Sequence, residues 1–224
     1  DPSTTVTLSS DLDGVVGTVA ADGFGLWVFT TTTLSEGAHD LTATSTDTAG
    51  NTSAASTLLV ATIDTTEPAA PGTADLVAGS DSGTADDDDI TNNTTPTIAG
   101  TAEAGSTIEL TSSLDGVVAT TTADGLGDWS VETIALSQGD HDLTSTATDA
   151  AGNTGVASAV LTITVDTAAP LAPSAPDLAS FSDSGTADDD DITFETTPTL
   201  TGTADPSTTV TLSSDLDGVV GTVA

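Results

Sequence analysis

The chain repeats itself every 102 residues without a gap. The segment Asp81–Thr91, DSGTADDDDIT, returns letter for letter at Asp183–Thr193. Trp27 maps onto Trp129, His39 onto His141, Asp47 onto Asp149, Asn51 onto Asn153 and Asp64 onto Asp166. Residues 1–20 are identical to residues 205–224, two periods apart. Solenoid turns recur every 20–50 residues or so, whereas a period of about 100 residues is one whole small domain. The frame predicts three pieces: 1–66 as the C-terminal part of a repeat, 67–168 as a complete repeat, and 169–224 as the N-terminal part of the next. Joined head to tail, 169–204 and 1–66 would make one further repeat. The identical ends predict a longer natural chain in which near-identical copies continue on both sides.

Charge decides which partners such an array can have. There are 35 Asp and Glu and no Lys or Arg. Nucleic acid and anionic membrane both demand positive charge, so neither is a partner. The partner that this balance calls for is a cation. Like charges ~10 Å apart in water repel by roughly 0.4 kcal/mol before screening. Residues 67–168 alone carry 17 carboxylates, so salt or bound divalent ions would relieve many such pairs. High charge with few aromatics is also a mark of disorder. Against that stand regular strand patterns, 48 Thr and a Trp in the complete repeat. No Cys is present, so an extracellular array of this kind needs another staple, and metal is the usual substitute. No apolar run approaches the ~20 residues of a membrane helix.

Within the complete repeat, short alternating segments are separated by turn signals, the pattern of an antiparallel sandwich. Strands are predicted over Asp75–Val77, Thr95–Ala102, Thr107–Ser112, Val117–Ala123, Trp129–Ile134, His141–Thr148 and Val156–Val165. Asp115-Gly116 reads as a hairpin turn. The predicted core is Ile98, Ile108, Leu110, Val118, Trp129, Val131, Leu143, Ala147, Leu161, Ile163 and Val165. No helical periodicity occurs. The fold class is therefore all-β: tandem immunoglobulin-like Greek-key sandwiches without disulfides.

The segments TPTIAGTAEAGSTIEL (95–110), ADGLGDWSV (123–131), GDHDLTSTATDAAGNTGVAS (139–158) and LTITVDTAAP (161–170) resemble the bacterial Ig-like repeats of giant secreted surface adhesins, the Bap-type and RTX-type proteins. The resemblance runs through all three pieces. It implies an extracellular location on a bacterial surface. It also implies an extender role, in which calcium-stiffened arrays stand between a membrane anchor and distal adhesive domains.

The acidic loop is the first candidate site. Asp81, Asp86, Asp87, Asp88 and Asp89 put five carboxylates into nine residues. Ca²⁺ takes six to eight oxygens, including carboxylates, backbone carbonyls and water. Gly83 lets the loop curl so that Asp81 can join the others. The spacing is not that of an EF-hand. The metal ligands expected are Asp81, Asp86, Asp88 and Asp89, with Asp183, Asp188, Asp190 and Asp191 one period later. The domain-end residues Asp64 and Asp166 are a second set, and the turn residues Asp149 and Asn153 a third. A calcium ion shared between one repeat's end and the next repeat's acidic loop would fix the hinge. The competing readings are a solvated acidic loop, and Asp149 and Asn153 as ordinary turn formers. The partners expected are calcium ions and neighbouring repeats of the same chain, with lateral self-association as a variant.

The remaining chemistry-bearing residues read as structural. Asp13, Asp22, Asp115 and Asp124 precede Gly in turns. His39 and His141 have no second His or Cys to complete a transition-metal site. Trp27 and Trp129 fall in alternating strands and read as core. There is no G-x-S-x-G elbow, and no cationic side chain to stabilise an anionic transition state, so the chain is not read as an enzyme. An alternative is a repeated glycan- or protein-binding module or a fibre subunit. The spare aromatics Phe24, Phe181 and Phe194 do not recur in the complete repeat.

Overall fold

A computed structural model describes residues 3–83, 85, 87–184, 186–187 and 190–224. The chain forms two compact units, Asp1–Asp166 and Thr167–Ala224. The first unit carries β1 (Thr5–Ser10), β2 (Gly14–Ala20), β3 (Gly37–Thr46), β4 (Leu59–Ile63), β5 (Asp75–Leu76), β6 (Ile90–Thr91), β7 (Thr97–Thr101), β8 (Thr107–Ser112), β9 (Gly116–Thr122), β10 (Asp128–Glu132), β11 (Gly139–Thr148) and β12 (Leu161–Val165). The second carries β13 (Asp177–Leu178), β14 (Leu200–Thr201), β15 (Val210–Ser214) and β16 (Gly218–Val223). No helix occurs among the described residues.

The complete repeat is a two-sheet sandwich. One sheet has the order β10-β7-β5 and the other β6-β12-β11-β8-β9. Every pairing is antiparallel except β6 with β12, which is parallel through Thr164↔Ile90 and Val165↔Thr91. Period-2 alternation sets the inner faces. On β11, His141, Leu143, Ser145 and Ala147 point inward, while Asp140, Asp142 and Thr144 do not. Ile108 and Leu110 of β8 and Leu161, Ile163 and Val165 of β12 meet them from the same sheet. Ile98 of β7, Trp129 of β10 and Leu76 of β5 close the core from the other sheet. This is the immunoglobulin-like arrangement, built without a disulfide.

All the core residues predicted from the sequence lie in this cluster, with Val131 half-buried at its margin. Ala74, Leu76, Ala123 and Leu136 complete it. The three-residue link between β8 and β9 ends at Gly116 with φ +72°, and the register shifts at Leu110/Thr111. An Asp-Gly hairpin that takes up strand twist through a left-handed Gly and a bulge has this form. The last strand is shorter than predicted. Residues 154–158 meet β11 through the Thr148↔Thr154 bridge, Gly155 N–H to Ala147 O, Ser158 N–H to Ser145 O and Ser145 N–H to Ser158 Oγ, without forming a strand. The strand β6 was not predicted, because two residues cannot display an alternation.

In residues 3–66 the sheet β2-β1-β3-β4 reproduces β9-β8-β11-β12. Residues 26–30, the equivalent of β10, form no strand. The partner of β10 is β7. Trp27 is 42% exposed where Trp129 is 4% exposed. In the second unit β13 pairs with β14 and β15 with β16, the counterparts of β5–β7 and β8–β9.

Candidate metal centre and repeat joint

The acidic loop links β5 of one sheet to β6 of the other. A turn at its start is held by Ser80 and Asp81 N–H groups on Val77 O, at 2.6 and 3.2 Å. Ser80 Oγ accepts from Thr97 N at 2.9 Å, and Thr91 Oγ1 donates to Ser80 O. The far end is pinned by Thr164 N–H to Asp89 O at 2.8 Å and by Asp166 N–H to Thr91 O at 2.8 Å. Between these anchors Asp81 is buried and Asp89 half-buried, while Asp87 and Asp88 are exposed. Asp89 takes φ +58°, in the left-handed region that Asp tolerates, and its N–H donates to Asp81 Oδ2 at 3.1 Å. Gly83 leaves room for the Asp88 carboxylate, whose Oδ1 would sit 2.8 Å from a Cβ there. Asp88 Oδ1 also accepts from Ile90 N at 3.2 Å.

Among the described residues of this loop, one buried side-chain oxygen has no hydrogen-bond partner. Asp81 is 9% exposed, and its Oδ1 is buried with no hydrogen bond. The same holds one period on, where Asp183 is 9% exposed and its Oδ1 is buried and unpartnered. A buried carboxylate oxygen left unpaired costs about 1–3 kcal/mol or more, so it asks for a ligand. The neighbours make that ligand cationic. Burial, and then the charges of Asp75, Asp81, Asp88 and Asp87, push the Asp89 carboxyl above the ordinary range. In the second unit Asp177, Asp183 and Asp191, equivalent to Asp75, Asp81 and Asp89, line one cleft of about 440 Å³. Asp191 has φ +59° and donates its N–H to Asp183 Oδ2 at 3.2 Å, so the loop geometry recurs. Asp190 Oδ1 accepts from Ile192 N at 3.2 Å. Asp86 and Asp188 lie outside the described residues. Among the described residues, no group of three His, Cys, Asp or Glu already stands close enough to hold a metal ion. The donors present are oxygens, which suits a hard divalent cation. Asp75 was not singled out from the sequence, and its recurrence as Asp177 six residues before each loop was the available signal.

The joint between residues 3–66 and the complete repeat is built differently from expectation. The sequence reading paired a domain-end Asp with the following repeat's acidic loop. The structure places the acidic loop beside Asp166 of its own repeat, because β6 runs parallel to the end of β12. Asp166 Oδ1 accepts from Gln138 Nε2 at 2.8 Å. Asp64 meets the next repeat at the opposite end, where Asn153 Nδ2 donates to Asp64 O at 3.0 Å. The segment leaving the first repeat is tied back by Glu36, which accepts from Thr65 N at 3.0 Å and Thr65 Oγ1 at 2.7 Å. Those bonds hold the Glu36 carboxyl below its usual range.

Asp149 is occupied by its own turn. Its Oδ2 accepts from Asn153 Nδ2 at 2.8 Å, and its Oδ1 accepts from Ala151, Gly152 and Asn153 N–H at 2.8–2.9 Å. The bond from the Asn153 side chain is the first cause of its lowered carboxyl pKa. Asp47 makes the same turn with Asn51. Asp124 Oδ1 caps Leu126 and Asp128 N–H. Asp115 clamps a loop instead: its oxygens accept from Ser137 Oγ at 2.7 Å and Ser137 N at 2.8 Å. His141 beside it is fully buried. Its Nε2 donates to Ser137 O at 2.8 Å, and its Nδ1 lies 2.8 Å from Ser112 Oγ. His39 repeats this with Ser35 and Ser10.

A chain of solved structure described as a biofilm-associated protein, BSP domain, is 24% identical over 75% of this chain and 26% of its own, with a TM-score of 0.33. This chain thus spans about a quarter of that structure. The fibronectin(III)-like modules of Clostridium thermocellum CbhA are 16% identical over 74% of this chain and 79% of theirs, with a TM-score of 0.37. The D00-D0 domain of Intimin is 15% identical over 57% of this chain and 65% of its own, with a TM-score of 0.22. The comparison with curated proteins gives no match. The family model described as Bacterial Ig-like domain matches residues 1–65, 68–167 and 170–224. With nearly its whole length covered by three successive matches, the chain belongs to the bacterial Ig-like domain family.

Proposed function

We propose that this chain is an extender segment of a large bacterial cell-surface adhesin, with repeats stiffened by Ca²⁺ held in their acidic loops. The observation that carries the reading is the buried, unpartnered Oδ1 of Asp81, repeated at Asp183. Asp81 and Asp89 would hold the ion with help from Asp75 and Asp88, and Asp183, Asp191, Asp177 and Asp190 would hold its counterpart. Asp86 and Asp188 belong to the same loops. Bound calcium would neutralise the carboxylates that now repel around Asp89 and would tie the crossover between the sheets to the end of β12. Asp166 stands at that end, so stiffness acquired there acts where the chain leaves the repeat. Asp64, Asp149 and Asn153 serve the joint through backbone and turn hydrogen bonds.

The extender role is supported by what is repeated. The acidic loop at Asp81–Thr91 recurs letter for letter at Asp183–Thr193, Asp64 recurs as Asp166, and the turn pair Asp47 and Asn51 recurs as Asp149 and Asn153. The location follows as extracellular, at millimolar calcium, where modules of this kind bind at roughly 10⁻⁴–10⁻³ M. Calorimetric titration of the chain with CaCl₂ tests the site. Saturable binding in that range is expected. The double variant Asp81→Asn, Asp183→Asn should weaken it by about tenfold or more, since each site loses a full ligand charge. Absence of binding, or equal affinity of the double variant, would refute the reading.

A further inference from the structure

Gly155 follows the β11–β12 turn and is buried. Its φ lies outside the left-handed region, so the backbone alone would accept any residue. Its surroundings would not. A Cβ at this position would lie 2.2 Å from the carbonyl oxygen of Pro68 and 3.1 Å from the carbonyl carbon. Pro68 belongs to the segment joining the first two repeats and is buried while Thr65, Thr66, Glu67 and Ala69 beside it are exposed. A few residues back along the same segment, Asp64 O receives Asn153 Nδ2. Two carbonyls of the leaving segment are therefore seated on one turn of the next repeat.

The first repeat supplies the comparison. Ser53 stands where Gly155 stands, and it is exposed. Ser53 N–H bonds Ser45 O at 2.9 Å, as Gly155 N–H bonds Ala147 O at 2.9 Å. Ser53 Oγ accepts from Ser45 N at 3.0 Å and donates to Ala54 O at 2.8 Å. Serine thus fits the fold at this position with its hydroxyl satisfied. Glycine at 155 answers to the joint and not to the repeat.

We infer that the β11–β12 turn of a repeat is a cation-independent seat for the leaving segment of the preceding repeat, and that the residue at the Gly155 position decides whether the seat closes. With glycine the Pro68 carbonyl packs directly on the turn. With serine, as at Ser53, a segment arriving in the same path meets the Cβ and must lift away. Identical sandwiches can then be joined tightly or loosely by one residue, so the stiffness of the array is written joint by joint, apart from any ion.

The test uses the whole chain, which has no native Cys, with spin labels at Thr18→Cys and Thr120→Cys, two exposed and equivalent positions. Dipolar distance distributions are recorded with EDTA present to remove divalent cations. The expected result is one narrow distribution with Gly155, and a broad or displaced one with Gly155→Ser. Overpacking of this kind lowers the ratio of seated to unseated joints by about tenfold. Gly155→Ala, which adds the Cβ alone, should act in the same direction, and Ser53→Gly should leave the distribution unchanged. Circular dichroism melts of each variant check that the repeats remain folded. A wild-type distribution already broad in EDTA, or folded Gly155→Ser and Gly155→Ala chains that superimpose on wild type, would overturn the inference.

Discussion

A carboxylate that is nine-tenths buried with one oxygen unpaired is expensive, and here it occurs twice, at Asp81 and Asp183. The other carboxylates show what ordinary satisfaction looks like. Asp115 has both oxygens on Ser137, and those bonds, with a smaller contribution from the nearby His141 ring, hold its pKa below the usual value. Asp89 is displaced the other way, by burial and by Asp75, Asp81, Asp88 and Asp87. The two shifts have opposite consequences. A depressed folded-state pKa gives stability that is present above the unfolded pKa and is lost as pH falls through the folded one. A raised one gives stability that is present below the unfolded pKa and is lost as pH rises through the folded one. In chelator, Asp115→Asn should therefore lower the melting temperature at neutral pH. It should also flatten the decline that wild type shows on acidification below about pH 4. Melts from pH 7 to pH 2 check this, and parallel curves for the two proteins would count against the Ser137 clamp.

At the scale of the element, a strand forms only where its partner is. Residues 26–30 and 128–132 share only their Trp, and only the second set is paired, with β7 alongside. Acrylamide quenching of single-Trp variants reads this directly. Trp27→Phe, which leaves Trp129, should give blue-shifted emission that resists quenching. Trp129→Phe, which leaves Trp27, should give red-shifted emission quenched several-fold more steeply. Equal slopes would contradict the pairing. The same dependence explains what the sequence made legible. Long alternating segments such as 107–112 and 139–148 announced their inner faces, so the sheets, the buried Trp129 and the core were readable. The strand β6 was not, since Ile90 and Thr91 acquire strand character from Thr164 and Val165, far along the chain. That pairing also turns the acidic loop toward the end of its own repeat, which spacing alone could not show. The loop's composition pointed to a cation, but the unpaired oxygen of Asp81 is a property of side-chain placement. Gly155 is one of several differences from the first repeat in this stretch, and the closeness of the Pro68 carbonyl, which sets it apart, is a property of the folded joint.

For the whole molecule, 35 carboxylates without one Lys or Arg make cations the controlling solute. Two kinds of cation effect are separable. Monovalent salt screens, shortening the Debye length to about 10 Å at 0.1 M. A divalent ion bound in the acidic loops removes charge at fixed points and ties β5, β6 and β12 together. Stiffness is thus expected to respond to calcium beyond what ionic strength explains, while the Gly155 seat persists when calcium is absent. Small-angle X-ray scattering of the chain in millimolar CaCl₂, in EDTA, and in EDTA with NaCl at matched ionic strength tests this most directly. The prediction is a larger maximum dimension and lower flexibility in calcium than in either EDTA sample. Superimposable curves in calcium and EDTA, or full recovery of the calcium curve by NaCl, would contradict it.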